Sequence, residues 1–182
     1  MIAFRPVPYF SLLIWLICLF PALADGVPLG GFCGDYEGQT ISSTENGLSK
    51  RDLSVSIRDC DKGFTVNWTT ITHKRDGRLK RKSYTIDFRP TERETVFASA
   101  MRTNMFGGKV PLDPLKGDPY VWARVSGATL TVFALIVTHD GGYEMQVYDR
   151  TIAENGLDLK FSRFRDGVQL KQITGKLIRT GG

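Results

Sequence analysis

Histidine and cysteine are scarce in this chain, with two of the first and three of the second among 182 residues. His73 and His139 both fall at turn positions, so neither a three-histidine site nor a His-rich catalytic cluster can be assembled. No G-x-S-x-G, H-E-x-x-H, C-x-x-C or Walker-type loop occurs anywhere. Acidic residues such as Asp35, Glu37, Glu144 and Asp149 have no spacing that marks a carboxylate pair. The sequence therefore assigns no catalytic residue, no metal ligand and no cofactor, and an enzyme is the least favoured class. Helical periodicity is also missing: from residue 34 onward no window repeats its apolar residues at 3.6.

Long hydrophobic runs are absent except at the start, where MIAFRPVPYFSLLIWLICLFPALADG places Arg5 before the apolar run Leu12–Phe20. That run is short for a bilayer crossing, and Ala22-Leu23-Ala24 offers the small residues of a signal-peptidase site. Residues 1–24 read as a secretory signal, residues 25–33 as an N-terminal extension, and 34–180 as one domain. The expected location is the periplasm or the extracellular space. Of the cysteines only Cys33 and Cys60 lie beyond the signal, which in an oxidising compartment suggests one disulfide.

What the chain has in abundance is period-two alternation broken by turns containing Gly, Asn and Asp. Ten runs emerge: Asp35–Ile41, Leu53–Asp59, Phe64–Thr72, Leu79–Phe88, Thr95–Met101, Tyr120–Val125, Thr129–Val137, Tyr143–Thr151, Leu157–Phe164 and Val168–Ile178. Between them stand Asn46-Gly47, Asp61-Lys62-Gly63, Asp76-Gly77, Ser126-Gly127, Asp140-Gly141-Gly142, Asn155-Gly156 and Asp166-Gly167. Short connections make neighbours antiparallel. The prediction is an all-β, up-and-down meander closed into a barrel of about 8–10 strands, with a β-sandwich as the alternative.

Register follows from turn position. A three-residue loop centred on Asp76 sets Phe64 opposite Phe88, Val66 opposite Ile86 and Trp68 opposite Tyr84. These six side chains then share one face, the apolar interior. Continuing along the stripe, Thr70 meets Lys82 and Thr72 meets Lys80. A turn at Asn46-Gly47 pairs Tyr36 with Ile57 and Gly38 with Val55, and sets Cys33 opposite Cys60. A loop centred on Asp166 opposes Leu159 to Ile173 and Leu157 to Gly175.

Six of the nine residues 74–82 are Lys or Arg, and with Asp76 they carry the same formal charge, +5, as the whole chain. The basic character is thus one patch. Flanking aromatics alternate as core residues rather than as a stacking platform, so nucleic acid is not the expected partner. Two readings stay open. The patch is either the solvated tip of a hairpin or a cationic rim at which Lys80, Lys82, Thr70 and Thr72 hold an anionic head group. In the second reading a lipid-like or other small amphipathic ligand lays its tail against Phe64, Val66, Trp68, Tyr84, Ile86 and Phe88. An alternative role is a filled barrel whose basic tip meets an anionic membrane surface.

Two anomalies remain. Residues 102–119 are aperiodic yet contain Met105, Phe106, Val110, Leu112 and Leu115, which suits a lid or a loop folded onto the sheet. The run Ala128–Val137 is apolar on both faces, so something must cover its outer side. That long loop is the simplest candidate, ahead of a second copy of the chain or a membrane.

The pentapeptide GDYEG, Gly34–Gly38, resembles the Gly-x-aromatic start of the first strand in lipocalin-like (calycin) β-barrels. The resemblance implies a basic residue from a late strand lying over Tyr36, with Lys176 and Arg179 as candidates, and a small-molecule or lipid cavity. The segments RDLSVSI, GFTVNWTT, KRKSYTIDFRPT and GDPYVWARV are similar to a family of exported bacterial proteins, which implies export and no particular activity.

Overall fold

In a computed structural model, residues 27–44, 47–99, 102–103, 109–110 and 112–182 are described. The segment read as a signal peptide, residues 1–24, lies outside them, as do Met105 and Phe106.

Ten antiparallel strands form a closed barrel in meander order. They are β1 (Gly34–Thr44), β2 (Gly47–Arg58), β3 (Phe64–His73), β4 (Leu79–Pro90), β5 (Val96–Ser99), β8 (Tyr120–Ser126), β9 (Thr129–Val137), β10 (Tyr143–Ala153), β11 (Gly156–Arg165) and β12 (Val168–Gly181). Pairing of β1 with β12 shuts the ring. Between β5 and β8, the two-residue strands β6 (Arg102–Thr103) and β7 (Lys109–Val110) pair apart from the barrel. A 3-10 turn at Pro114–Lys116 follows, capped by the Asp113 carboxylate, which accepts from Leu115 N at 3.1 Å. This turn lies beside β9, with its Leu115 side chain exposed.

The β3–β4 register is as expected, with Phe64, Val66, Trp68, Thr70 and Thr72 opposite Phe88, Ile86, Tyr84, Lys82 and Lys80. Its loop closes through Lys74 N to Arg78 O at 2.9 Å, and Gly77 takes a φ of 78°. Two other registers differ from expectation by two positions. In β1–β2, Tyr36 faces Val55 and Gly38 faces Leu53, because the ladder runs on to Thr44 opposite Gly47. In β11–β12, Leu159 faces Gly175 and Leu157 faces Leu177. There Asp166 and Gly167 both have positive φ, 47° and 83°, so the hairpin closes with a two-residue turn. A bulge between Arg163 and Phe164 adds the remaining offset. A slip of two preserves which face each side chain takes, so the inward set is unchanged.

One end of the barrel is filled. Phe64 stacks on Phe88 with centroids 4.8 Å apart and meets Phe97 edge-on at 5.1 Å. Ile57, Val66, Leu130, Leu157 and Leu177 are fully buried around them. Residues ahead of β1 are part of this core: a 3-10 turn, Leu29–Phe32, drives Phe32 to zero exposure beneath the strands. Cys33, its C-cap, is disulfide-bonded to Cys60 with a Cα separation of 6.3 Å. The pairing is as expected, although both cysteines lie beyond the β1–β2 ladder. Asp59, in the left-handed region at φ 58°, turns the chain between β2 and Cys60.

Arg179 rather than Lys176 covers Tyr36, its Cζ 5.0 Å from the ring centroid. Its guanidinium also donates to the carbonyls of Cys33 at 2.6 Å and Gly31 at 3.2 Å, tying β12 to the 3-10 turn. Tyr36 donates its hydroxyl to Phe32 O at 2.9 Å. The glycines of GDYEG have steric causes. A Cβ on Gly34 would sit 2.7 Å from the Arg179 guanidinium, and one on Gly38 would sit 2.1 Å from Lys176 O.

Candidate functional site

The other half of the barrel is open. From the filled end outward, the inward positions of β3 run Phe64, Val66, Trp68, Thr70, Thr72, and those of β10 run Ile152, Arg150, Tyr148, Gln146, Glu144. Val66 and Ile152 belong to the packed cluster alone, whereas Trp68, also part of it, and Arg150 line a cavity of about 570 Å³. Core gives way to cavity at that level.

Of the residues expected to form a ligand site, Thr70, Thr72, Lys80, Lys82, Trp68 and Tyr84 line this cavity. Phe64, Val66, Ile86 and Phe88 do not line it; they pack in or against the core. The reason is the plug: Phe32 and the stacked Phe64–Phe88 pair occupy the space that a ligand tail would need. Lys80, Lys82 and Tyr84 are exposed as well as lining. Among the described residues β5 pairs only with Phe88–Pro90 of β4, so the mouth half of β4 has no described neighbour on that side.

The walls are aromatic. Trp68 stacks on Tyr84 at 5.2 Å and meets Tyr148 at 5.5 Å, and Tyr148 meets Phe161 at 4.8 Å. Along β10 a polar relay leads toward the mouth: Tyr148 donates to Gln146 Oε1 at 2.8 Å, and Gln146 Nε2 donates to Glu144 Oε1 at 2.6 Å. Arg163 donates to the other Glu144 oxygen and holds that carboxyl below its usual range. Burial pushes the Tyr148 hydroxyl up to about 12, which keeps it a neutral donor.

The floor carries the decisive group. Arg150 has zero exposure, yet its Nε and Nη1 have no hydrogen-bond partner among the described residues. Its Cζ lies 5.5 Å from the Trp68 ring and 5.9 Å from that of Tyr148. Burial lowers its pKa to about 10, and the Asp149 carboxylate offsets only part of this from the neighbouring position. At neutral pH the guanidinium is therefore charged and short of acceptors. Such a group in a native interior marks a place where an acceptor is expected. Arg51, Lys80, Lys82, Arg163 and Lys171 complete a lining of six cations against one carboxylate, Glu144. Lys171 is lowered by burial and by the charges of Arg51 and Arg163, the mark of a crowded cationic wall.

Sequence reasoning did not single out Arg51, Tyr148, Arg150, Arg163 or Lys171. A signal was present in YEMQVYDRT, where Glu144, Gln146, Tyr148 and Arg150 alternate with Met145 and Val147. Polar residues on one stripe normally face water, and only the closed barrel shows this stripe to be the inner one.

A depression of about 760 Å³ also lies on the outside of the barrel, bordered by Thr129, Thr131, Asp149 and Thr151. It contains no buried polar atom lacking a partner. No group of three or more metal-ligating side chains occurs among the described residues. The chain matches no protein-family model, no curated protein and no solved structure.

Proposed function

We propose that this protein is an exported, lipocalin-like binding protein that takes a small amphipathic anion into the open half of its barrel. The anionic group goes inward, against Arg150, and the body lies between Trp68, Tyr84, Tyr148 and Phe161. Lys80 and Lys82, with Thr70 and Thr72, act at the mouth, where they attract the anion and contact any second acceptor it carries. The single observation behind this reading is the buried Arg150 guanidinium with two unpartnered N–H positions. The cavity volume of about 570 Å³ lies within the range of small-molecule sites. Export is supported by the Cys33–Cys60 disulfide. The role proposed is binding without turnover.

The test is displacement of 1-anilinonaphthalene-8-sulfonate by dodecanoate and by dodecanol. Dodecanoate is expected to compete at least about tenfold better, a charge-assisted pair in a dry site being worth that much. Arg150→Met should erase the difference. Equal competition by acid and alcohol in the native protein, or a preference that survives Arg150→Met, overturns the reading.

A further inference from the structure

We infer that the open end of the barrel docks on an anionic lipid bilayer surface, independently of what the cavity holds. In a closed meander alternate turns lie at the same end. The β1–β2, β3–β4, β9–β10 and β11–β12 turns therefore surround the mouth, and the disulfide and the 3-10 plug mark the opposite end.

Five aliphatic side chains near the mouth are more than half exposed: Ile41, Leu48, Leu79, Val168 and Leu170. They fall on the β11–β12, β1–β2 and β3–β4 hairpins, which are consecutive around the ring. Tyr143, on β10 beside β11, extends the same arc. On a strand segment at the closed end, Ile178 is the one comparable residue among those described. A merely solvated tip explains the lysines, but it does not explain aliphatics gathered on three adjacent hairpins.

Charge runs the same way. Lys50, Lys74, Arg75 and Arg81 stand among these side chains. Two of the acids nearby are engaged locally, Asp76 by Arg78 at 2.5 Å and Asp140 by Arg165 at 2.5 Å. Turns at the closed end bear Asp59, Asp61, Glu92, Glu94 and Glu154 against Lys62 and Arg93, an acidic balance. The molecule is polarised from end to end, so a negative surface would orient it mouth first. Aliphatics set among cations are what interfacial binding needs: the charges bring the protein to the headgroups and the apolar side chains enter them. Nucleic acid offers no counterpart for exposed leucines.

Co-sedimentation with vesicles tests this. One set is phosphatidylcholine alone and the other contains about one-third phosphatidylglycerol. Partition onto the anionic set should be at least about tenfold stronger and should fall as salt is raised. The triple variant Leu48→Ser, Leu79→Ser, Leu170→Ser leaves charge and fold intact, checked by circular dichroism, and should weaken binding about tenfold. Ile178→Ser should change nothing. Arg150→Met should also leave vesicle binding unaltered, which separates docking from the cavity reading. No partition, equal partition onto the two vesicle types, or native-like binding by the triple variant overturns the inference.

Discussion

Arg150 lies over Trp68, guanidinium carbon 5.5 Å from the ring centroid, at the level where the packed core of the barrel ends. The ring face supplies attraction that the missing acceptors do not. It is a partial compensation, since desolvation still dominates the depressed pKa of about 10.

That imbalance makes a stability prediction. A base whose pKa is lower folded than unfolded carries its full penalty at neutral pH and sheds it as pH rises from about 10 toward the unfolded value. A lowering of that size corresponds to about 3–4 kcal/mol. Replacing the buried cation by an apolar side chain of similar length removes the penalty. Arg150→Met should therefore stabilise the empty protein by about 1–3 kcal/mol, seen as a melting temperature raised by several degrees. A lowered melting temperature would mean that the guanidinium is satisfied within the fold.

Glu144 and Arg163 set an acid limb. The carboxyl is held low first by its bond to Arg163, so its contribution is complete above the unfolded value near 4.3 and is lost as pH falls through the folded one. Arg163→Gln should cost about 1–2 kcal/mol at pH 7, and native and variant stabilities should converge once the pH has fallen through the lowered value of the folded carboxyl. Denaturant melts across that window provide the measurement. A constant difference at all pH values would assign the loss to packing.

Much of this architecture was legible because strands report themselves through alternation and turns through Gly, Asn and Asp. The β3–β4 hairpin was readable to the residue, since Asp76-Gly77 admits one loop geometry and three aromatic or aliphatic pairs confirm it. Elsewhere the bulge at Arg163/Phe164 has no sequence mark, and it displaced the β11–β12 register by one position beyond the one due to the two-residue turn. Which part of the interior is full was not legible. Phe32 lies ahead of the first strand, and nothing in LGGF announces that it swings beneath the barrel. For that reason Phe64 and Phe88 read as cavity walls, whereas Arg150, polar and on an alternating strand, drew no reading at all.

The cysteine bridge closes the plug end across a sequence separation of 27. Removing it by Cys33→Ser with Cys60→Ser should destabilise the protein by about 2–4 kcal/mol, the usual range for such a loop. Chemical denaturation of native and double-variant protein gives the number. The same melt with reductant should bring the native curve onto that of the variant, because no other cysteine lies among the described residues.

Arg179 is the residue on which the closed end converges. It covers the Tyr36 ring, donates to Cys33 and Gly31 carbonyls, and does so from β12, the last strand in the chain, whose pairing with β1 closes the ring. Arg179→Met keeps most of the stem over the ring but deletes both donors, leaving two carbonyls of the 3-10 turn without them. The expected cost is about 2–3 kcal/mol, two charged hydrogen bonds being discounted for partial solvent access. Tyr36→Phe removes the hydroxyl's bond to Phe32 O and its longer contact with Cys33 O, and should cost about 1 kcal/mol. If the arginine organises the plug, the effect should be spatially selective. Hydrogen exchange should quicken at Cys33, whose amide bonds to Gly30 O, and stay slow in the β3–β4 ladder. Uniform acceleration over the whole barrel would instead assign Arg179 a share in global stability alone.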